Sequence, residues 1–229
     1  MTERLLEVIE AGRLAYREAL DLQRSLAQAR IDGRLEHDVL LLLEHPDVVT
    51  IGRTAQAGHL VDTHGIEVVE VERGGDVTYH GPGQLVGYPI LDLREHRADL
   101  HWYLRTVEHA LIEALARLGI PAARRTGYTG VWVGRGERKI ASIGVHVKQW
   151  VSWHGFALNV TTDLSQFDRI VPCGIAGVEM TSVEREKGNG RGERELWEAS
   201  VRAVVAGFEA GFGVTAHTGA LTSSLDAVP

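Results

Sequence analysis

The chain has a single cysteine, Cys173, in the run Arg169-Ile-Val-Pro-Cys-Gly-Ile175. A rigid proline before it and a permissive glycine after it suit a tight turn that holds a side chain outward, the setting of a nucleophilic thiol. Taken alone, the same residue also reads as a small buried hydrophobe. One cysteine excludes an internal disulfide and a cysteine-rich zinc site, and the local signatures of thiol proteases are absent. All thiol chemistry therefore falls on one sulfur. Lys139 opens the apolar run Lys139-Ile-Ala-Ser-Ile-Gly144, where its head can face a cleft at a strand end or snorkel to solvent.

A third segment is rich in glycine: Arg73-Gly74-Gly75-Asp76-Val77-Thr78-Tyr79-His80-Gly81-Pro82-Gly83-Gln84, followed by Leu85-Val86-Gly87-Tyr88. Glycines let a substrate approach main-chain N–H groups, and Arg73, Thr78, Tyr79 and His80 add polar handles. The spacing of Gly81, Gly83 and Gly87 is too wide for a dinucleotide fingerprint and leads into a strand-like run, and no phosphate loop occurs. The segment Trp153-His154-Gly155-Phe156-Ala157-Leu158-Asn159-Val160 fits the wall of an apolar slot as well as a plain core strand. His45 and His154 are further candidates, but 11 histidines without paired ligand spacing predict no metal site.

Composition narrows the function class. A net charge of −7 argues against general nucleic-acid binding, so a polyanionic partner must meet a local patch such as Arg124, Arg125, Arg135 and Arg138. No secretory signal or apolar run of membrane-spanning length is found, which predicts a cytoplasmic protein without membrane contact.

Three helices and a series of strands must position these residues. Ala15, Ala19, Leu22, Leu26 and Ala29 share a helical face between Leu14 and Ile31, with Gly33 as a stop. Asp99 caps a second helix lined by Leu100, Leu104, Val107, Leu111, Ala114 and Leu118 and ended by Gly119 and Pro121. A third runs from about Glu195 to Phe208, after an exposed loop over Lys187 to Glu193. Strand-like runs cover 39–43, 48–51, 66–71, 85–91, 131–133, 140–147 and 151–160, the last three as consecutive hairpins. The expected fold is α/β (α+β), a mixed sheet with packed helices, in one domain over 1–229 whose tail from about 215 is frayed.

Together, Arg73 to Gln84, Lys139-Ile-Ala-Ser-Ile-Gly144, His154-Gly-Phe-Ala-Leu-Asn159 and Pro172-Cys-Gly-Ile175 closely resemble the lipoyl(octanoyl) transferases in wording, order and spacing. The resemblance runs from the first helix to about Val183; nothing is carried over beyond Glu184. It implies the fold of the biotin and lipoate protein ligase catalytic domain, and transfer of octanoyl from acyl carrier protein to a lysine of lipoyl domains. Those acceptors are the 2-oxoacid dehydrogenase complexes and glycine cleavage H protein. It also implies a monomer with no cofactor. Cys173 would carry the acyl thioester and Lys139 would ionise it. Substrate would lie against Arg73, Gly74, Gly75, Asp76, Val77, Thr78, Tyr79 and His80, against Ser142, Ile143 and Gly144, and against Gly155, Phe156 and Ala157. An ATP-dependent lipoate or biotin-type ligase and a non-catalytic acyl-binding protein are the rival readings. The first would need no cysteine thioester. The second leaves the joint presence of Lys139 and Cys173 unexplained.

Overall fold

The computed structural model describes residues 4–174, 177–188 and 192–219, with the side chains of Ala57 and Cys173 outside that description. In chain order the elements are β1 (Leu5–Arg13), α1 (Tyr16–Ile31), β2 (Asp38–Glu44), β3 (Val48–Ile51), β4 (Glu67–Glu70), β5 (Val77–His80) and β6 (Gln84–Ile90). Then come α2 (Leu93–His96), α3 (Leu100–Arg117), β7 (Ala123–Arg125), β8 (Tyr128–Val133), β9 (Arg138–Lys148) and β10 (Val151–Asn159). The last are β11 (Glu179–Met180), α4 (Val183–Lys187), α5 (Glu193–Phe212) and β12 (Thr215–Thr218).

A large mixed sheet runs in the order β12-β1-β2-β6-β10-β9-β8-β7, with β11 added on β9, and a small sheet runs β4-β3-β5. The run Val39 to Leu43 explains how the layers stack. Leu40 and Leu42 face α3 and α5, while Val39, Leu41 and Leu43 face α1, so alternate residues of one strand fill two cores. Gly207 lets α5 close on α3, since a Cβ there would stand 2.2 Å from the Ala110 carbonyl oxygen. The small sheet packs its own core of Val49, Val77, Tyr79, Phe167, Ile170 and Met180.

The mixed sheet with helices on both faces is the expected fold class. As expected, α3 starts at Asp99, whose carboxylate accepts from the Trp102 N–H at 3.0 Å. Two expectations need correction, and one strand was not anticipated. Leu5–Arg13, not anticipated, is a strand, because its residues find parallel partners in β2 and β12. Val77–His80, read as part of a glycine-rich loop, is a strand paired antiparallel with β3. Thr215–Thr218, expected to fray, pairs in parallel with Leu5–Val8, so main-chain hydrogen bonds fix a segment whose small polar side chains offered no sign of it. Residues 220–229 of the expected tail, Ile175 of the cysteine motif and 189–191 of the expected loop lie outside the described residues. Among the described residues no helix is long and apolar enough to cross a membrane, and no cluster of side chains suits a metal ion.

Candidate functional site

A cavity of about 320 Å³ opens between the large sheet and the small one. Of the residues expected to meet substrate, Arg73, Gly75, Asp76, Thr78, His80, Ser142, Ile143, Gly144, Gly155, Phe156 and Ala157 line it, and so does Lys139. Segments more than eighty positions apart, Arg73 and Ala157 at the extremes, therefore share one wall. Val77 and Tyr79 are the correction. Strand alternation sends Thr78 and His80 to the cavity and turns these two into the small-sheet core, where the Tyr79 ring meets Phe167 edge-on at 5.4 Å. Gly74 does not line the cavity either; its N–H donates to Val145 O at 2.9 Å, and it packs against Gly144.

Lys139 is 1% exposed on β9, opposite Trp132 of β8, with its Nζ 5.5 Å from the Trp132 ring centroid. Space for this side chain comes from Gly130, where a Cβ would stand 2.7 Å from Lys139 Cε, at a φ of +129° that other residues rarely adopt. Gly130 is fixed in turn, because its N–H donates to Glu108 Oε1 at 3.1 Å, and Glu108 also accepts from Arg105 and Arg124.

The Cys173 turn reaches the same cavity along a defined route. After β10 the chain crosses the small sheet and closes a 3₁₀ turn at Pro172–Gly174, with Gly174 N–H on Val171 O at 3.1 Å. Val171 N–H donates to His59 O at 2.8 Å, and Leu60 bridges Ile170. Gly174, at φ +66°, lines the cavity. The chain then returns to Lys139 itself, since Met180 pairs with Lys139 in the β11–β9 ladder and Thr181 N–H donates to Lys139 O at 2.9 Å. The cysteine turn and the lysine, distant in sequence, thus border one space. The Cys173 side chain lies outside the described residues.

Residues unmarked by the motifs complete the cavity: Tyr16 and Tyr88 join His80 on its floor, and His45 packs behind them. His45 Nδ1 donates to Leu14 O at 2.8 Å, so its Nε2 accepts from Tyr88 OH at 2.7 Å. Tyr16 lies 5.1 Å from the His45 ring and stacks on His80 at 5.9 Å. Burial pushes His45 down to about 4 and His80 well below its ordinary value, so both are uncharged near neutrality. That suits an apolar chain better than an ion. On the wall, His154 sits at φ +54° with its N–H on Gln23 Oε1 of α1 at 2.9 Å, a local kink in β10 beside Gly155. Tyr16 and His59 were illegible because only tertiary packing brings them here; Tyr88 closes the glycine-rich segment but was given no role.

The basic patch is partly spent on internal pairs. Arg124 holds Glu108 at 2.9 Å and Arg138 forks onto Glu186, with both contacts at 3.0 Å. Arg125 covers the Tyr128 and Trp132 rings, and Arg135 is exposed in the turn before β9.

Comparison with known proteins gives this cavity a context. Residues 15–209 match the family described as the lipoyl protein ligase A/B catalytic domain. The chain is 50% identical over 224 residues to an octanoyltransferase of Gloeobacter violaceus, covering 97% of each. It is 49% identical over 201 residues to an octanoyltransferase of Geobacter sulfurreducens, covering 88% of this chain and 82% of that one. In fold it is similar to a lipoate-protein ligase A crystallised with ATP, with a TM-score of 0.74 at 20% identity over 99% of this chain and 92% of that one. It is also similar to a bipartite lipoate protein ligase of Thermoplasma acidophilum, with a TM-score of 0.68 at 21% identity over 99% and 90%. Matched along nearly its whole length, the chain belongs to the octanoyltransferases of the lipoyl protein ligase A/B catalytic domain family.

Proposed function

We propose that this octanoyl transfer, a step of lipoate biosynthesis, takes the acyl group from acyl carrier protein through a thioester on Cys173. From there it passes to a lysine of lipoyl domains, in the cytoplasm. The observation that carries this reading is that the Cys173 turn and the buried Lys139 border one cavity floored by uncharged rings.

A thiol of ordinary pKa ~8.5 is only a few per cent ionised near neutrality. An ammonium about 4 Å away, at an effective dielectric of ~20, favours the thiolate by about 4 kcal/mol before desolvation takes some back. Lys139 supplies that ammonium. The Cys173 thiolate attacks the carrier thioester, Lys139 gives its proton to the departing thiol, and main-chain N–H groups of the glycine-rich segments hold the oxyanion. Neutral Lys139 then takes a proton from the acceptor amine as the amide forms. Exchange of one thioester for another is nearly balanced and amide formation is downhill, so the scheme uses no nucleotide.

Mass spectrometry of the intact protein with octanoyl-acyl carrier protein tests this. The expected result is one octanoyl adduct at Cys173 that discharges onto apo lipoyl domain. No adduct, full activity in Cys173→Ser, or a requirement for ATP with free octanoate would overturn it. Both protein partners are taken to be acidic, like this chain, so docking must be local. Arg135→Glu and Arg125→Glu are expected to raise the apparent KM for carrier protein and flatten its salt dependence. Unchanged kinetics would leave the patch as solvated surface.

A further inference from the structure

The protons of the second half-reaction do not balance on Lys139 alone. An acceptor lysine, with pKa ~10.4, arrives near pH 7 as an ammonium with three protons and leaves as an amide with one. Lys139, neutral once the carrier thiol has gone, accepts one of the two. The other either goes to water beforehand, which leaves only about one amine in 10³ competent near pH 7, or goes to a second base at the same cavity.

His59 is placed for it. It lines the cavity together with Asp76, Gly174 and Lys139. Its Nδ1 lies 2.7 Å from Asp76 Oδ2, and since a carboxylate only accepts, Nδ1 carries the hydrogen and Nε2 is the basic nitrogen. Asp76 is itself fixed, its Oδ1 accepting from the Val77 N–H at 2.7 Å. The imidazole abuts the residue after the cysteine: a Cβ on Gly174 would stand 2.7 Å from Asp76 Oδ2 and 3.2 Å from His59 Cε1. The His59 carbonyl also holds the same turn through Val171.

We propose that His59, oriented by Asp76, is the second proton acceptor of acyl transfer. It takes one proton from the incoming lysine ammonium at Nε2. The freed amine attacks the Cys173 thioester, the C–N bond forms and the C–S bond breaks. The second amine proton passes to Lys139, the thiolate leaves, and His59 returns its proton to solvent. Charge is conserved: one ammonium enters, and one imidazolium leaves beside the restored thiolate and ammonium pair. This rests on the Cys173 and Lys139 reading above, and the test separates the two.

Wild type, His59→Gln and His59→Asn are loaded with octanoyl-acyl carrier protein and the adduct is followed by mass spectrometry. The loaded proteins are then discharged at pH 7 onto either apo lipoyl domain or hydroxylamine, whose amine is already neutral and has one proton to lose. The expected result is normal loading, transfer to lipoyl domain slowed by roughly 10²-fold, and unchanged discharge to hydroxylamine. Equal slowing to both nucleophiles, no slowing to either, or failed loading of the variants alone would overturn the proposal and leave His59 as a support of the turn. Failed loading of wild type would instead overturn the thioester reading.

Discussion

The two sides of the cavity are built differently. Lys139 sits within the large sheet, paired to Trp132 on one side and Met180 on the other, and is seated by a glycine that is itself held by a buried carboxylate. The cysteine turn is a single 3₁₀ turn against the small sheet, tied among the described residues by a few main-chain bonds, one of them to the His59 carbonyl. Proton transfer needs a group fixed to within fractions of an ångström, whereas in the proposed scheme the cysteine turn must meet first a carrier thioester and then a lysine. The lesson is that rigidity is concentrated on the proton carrier.

Removing the fixed group should have the largest effect. In Lys139→Met, adduct formation near pH 7 is expected to fall by about 10³-fold, the loss that goes with about 4 kcal/mol of thiolate stabilisation; the rate should recover as pH rises through the thiol's own pKa. Recovery at high pH would assign the loss to ionisation of Cys173; a loss that persists there would assign the remainder to the proton that Lys139 gives the departing thiol.

Crowding the group should cost less. Gly130→Ala puts a methyl 2.7 Å from Lys139 Cε and strains a φ of +129°. We expect kcat to drop by roughly 10²-fold, as for a displaced catalytic group, with the KM for carrier protein little changed. Retained kcat in a well-folded Gly130→Ala protein would show the lysine to be as adaptable as the turn.

The ring packed behind the cavity floor should register as pH dependence. Burial lowers His45 from 6.5 to about 4, so between those values the unfolded chain binds a proton that the folded chain refuses. The stability is complete above about pH 6.5 and drains as pH falls toward 4, by about 3 kcal/mol in all. In urea denaturation, His45→Gln is expected to lose about 2 kcal/mol less than wild type between pH 7 and pH 4.5. Equal losses would place the acid sensitivity elsewhere.

Much of this was legible in sequence, and the gaps have physical causes. The second helix was readable from Asp99 and Gly119 because caps are local chemistry, as was the Val39 to Leu43 strand from its apolar run. The Leu5 strand was not, because its alternation breaks at Leu5-Leu6 and its partners lie far along the chain. At the site, the motif words picked out most of the cavity wall, yet a run of names hides strand parity, which is why Val77 and Tyr79 were assigned with Thr78 and His80. His59 and Tyr16 carry no local signal at all.

One hydrogen bond has a wider consequence. Asn159 Nδ2 donates to Thr181 O at 3.0 Å, across 22 positions, where the chain leaves the large sheet and where it returns. The stretch that carries the single cysteine is thus a cassette with a clasped neck. For such an excursion, chain statistics charge only about 0.6 kcal/mol for doubling its length. Its length therefore matters little: Phe167 and Ile170, packed in the small-sheet core, fix the turn while the neck keeps the lysine's strand in register.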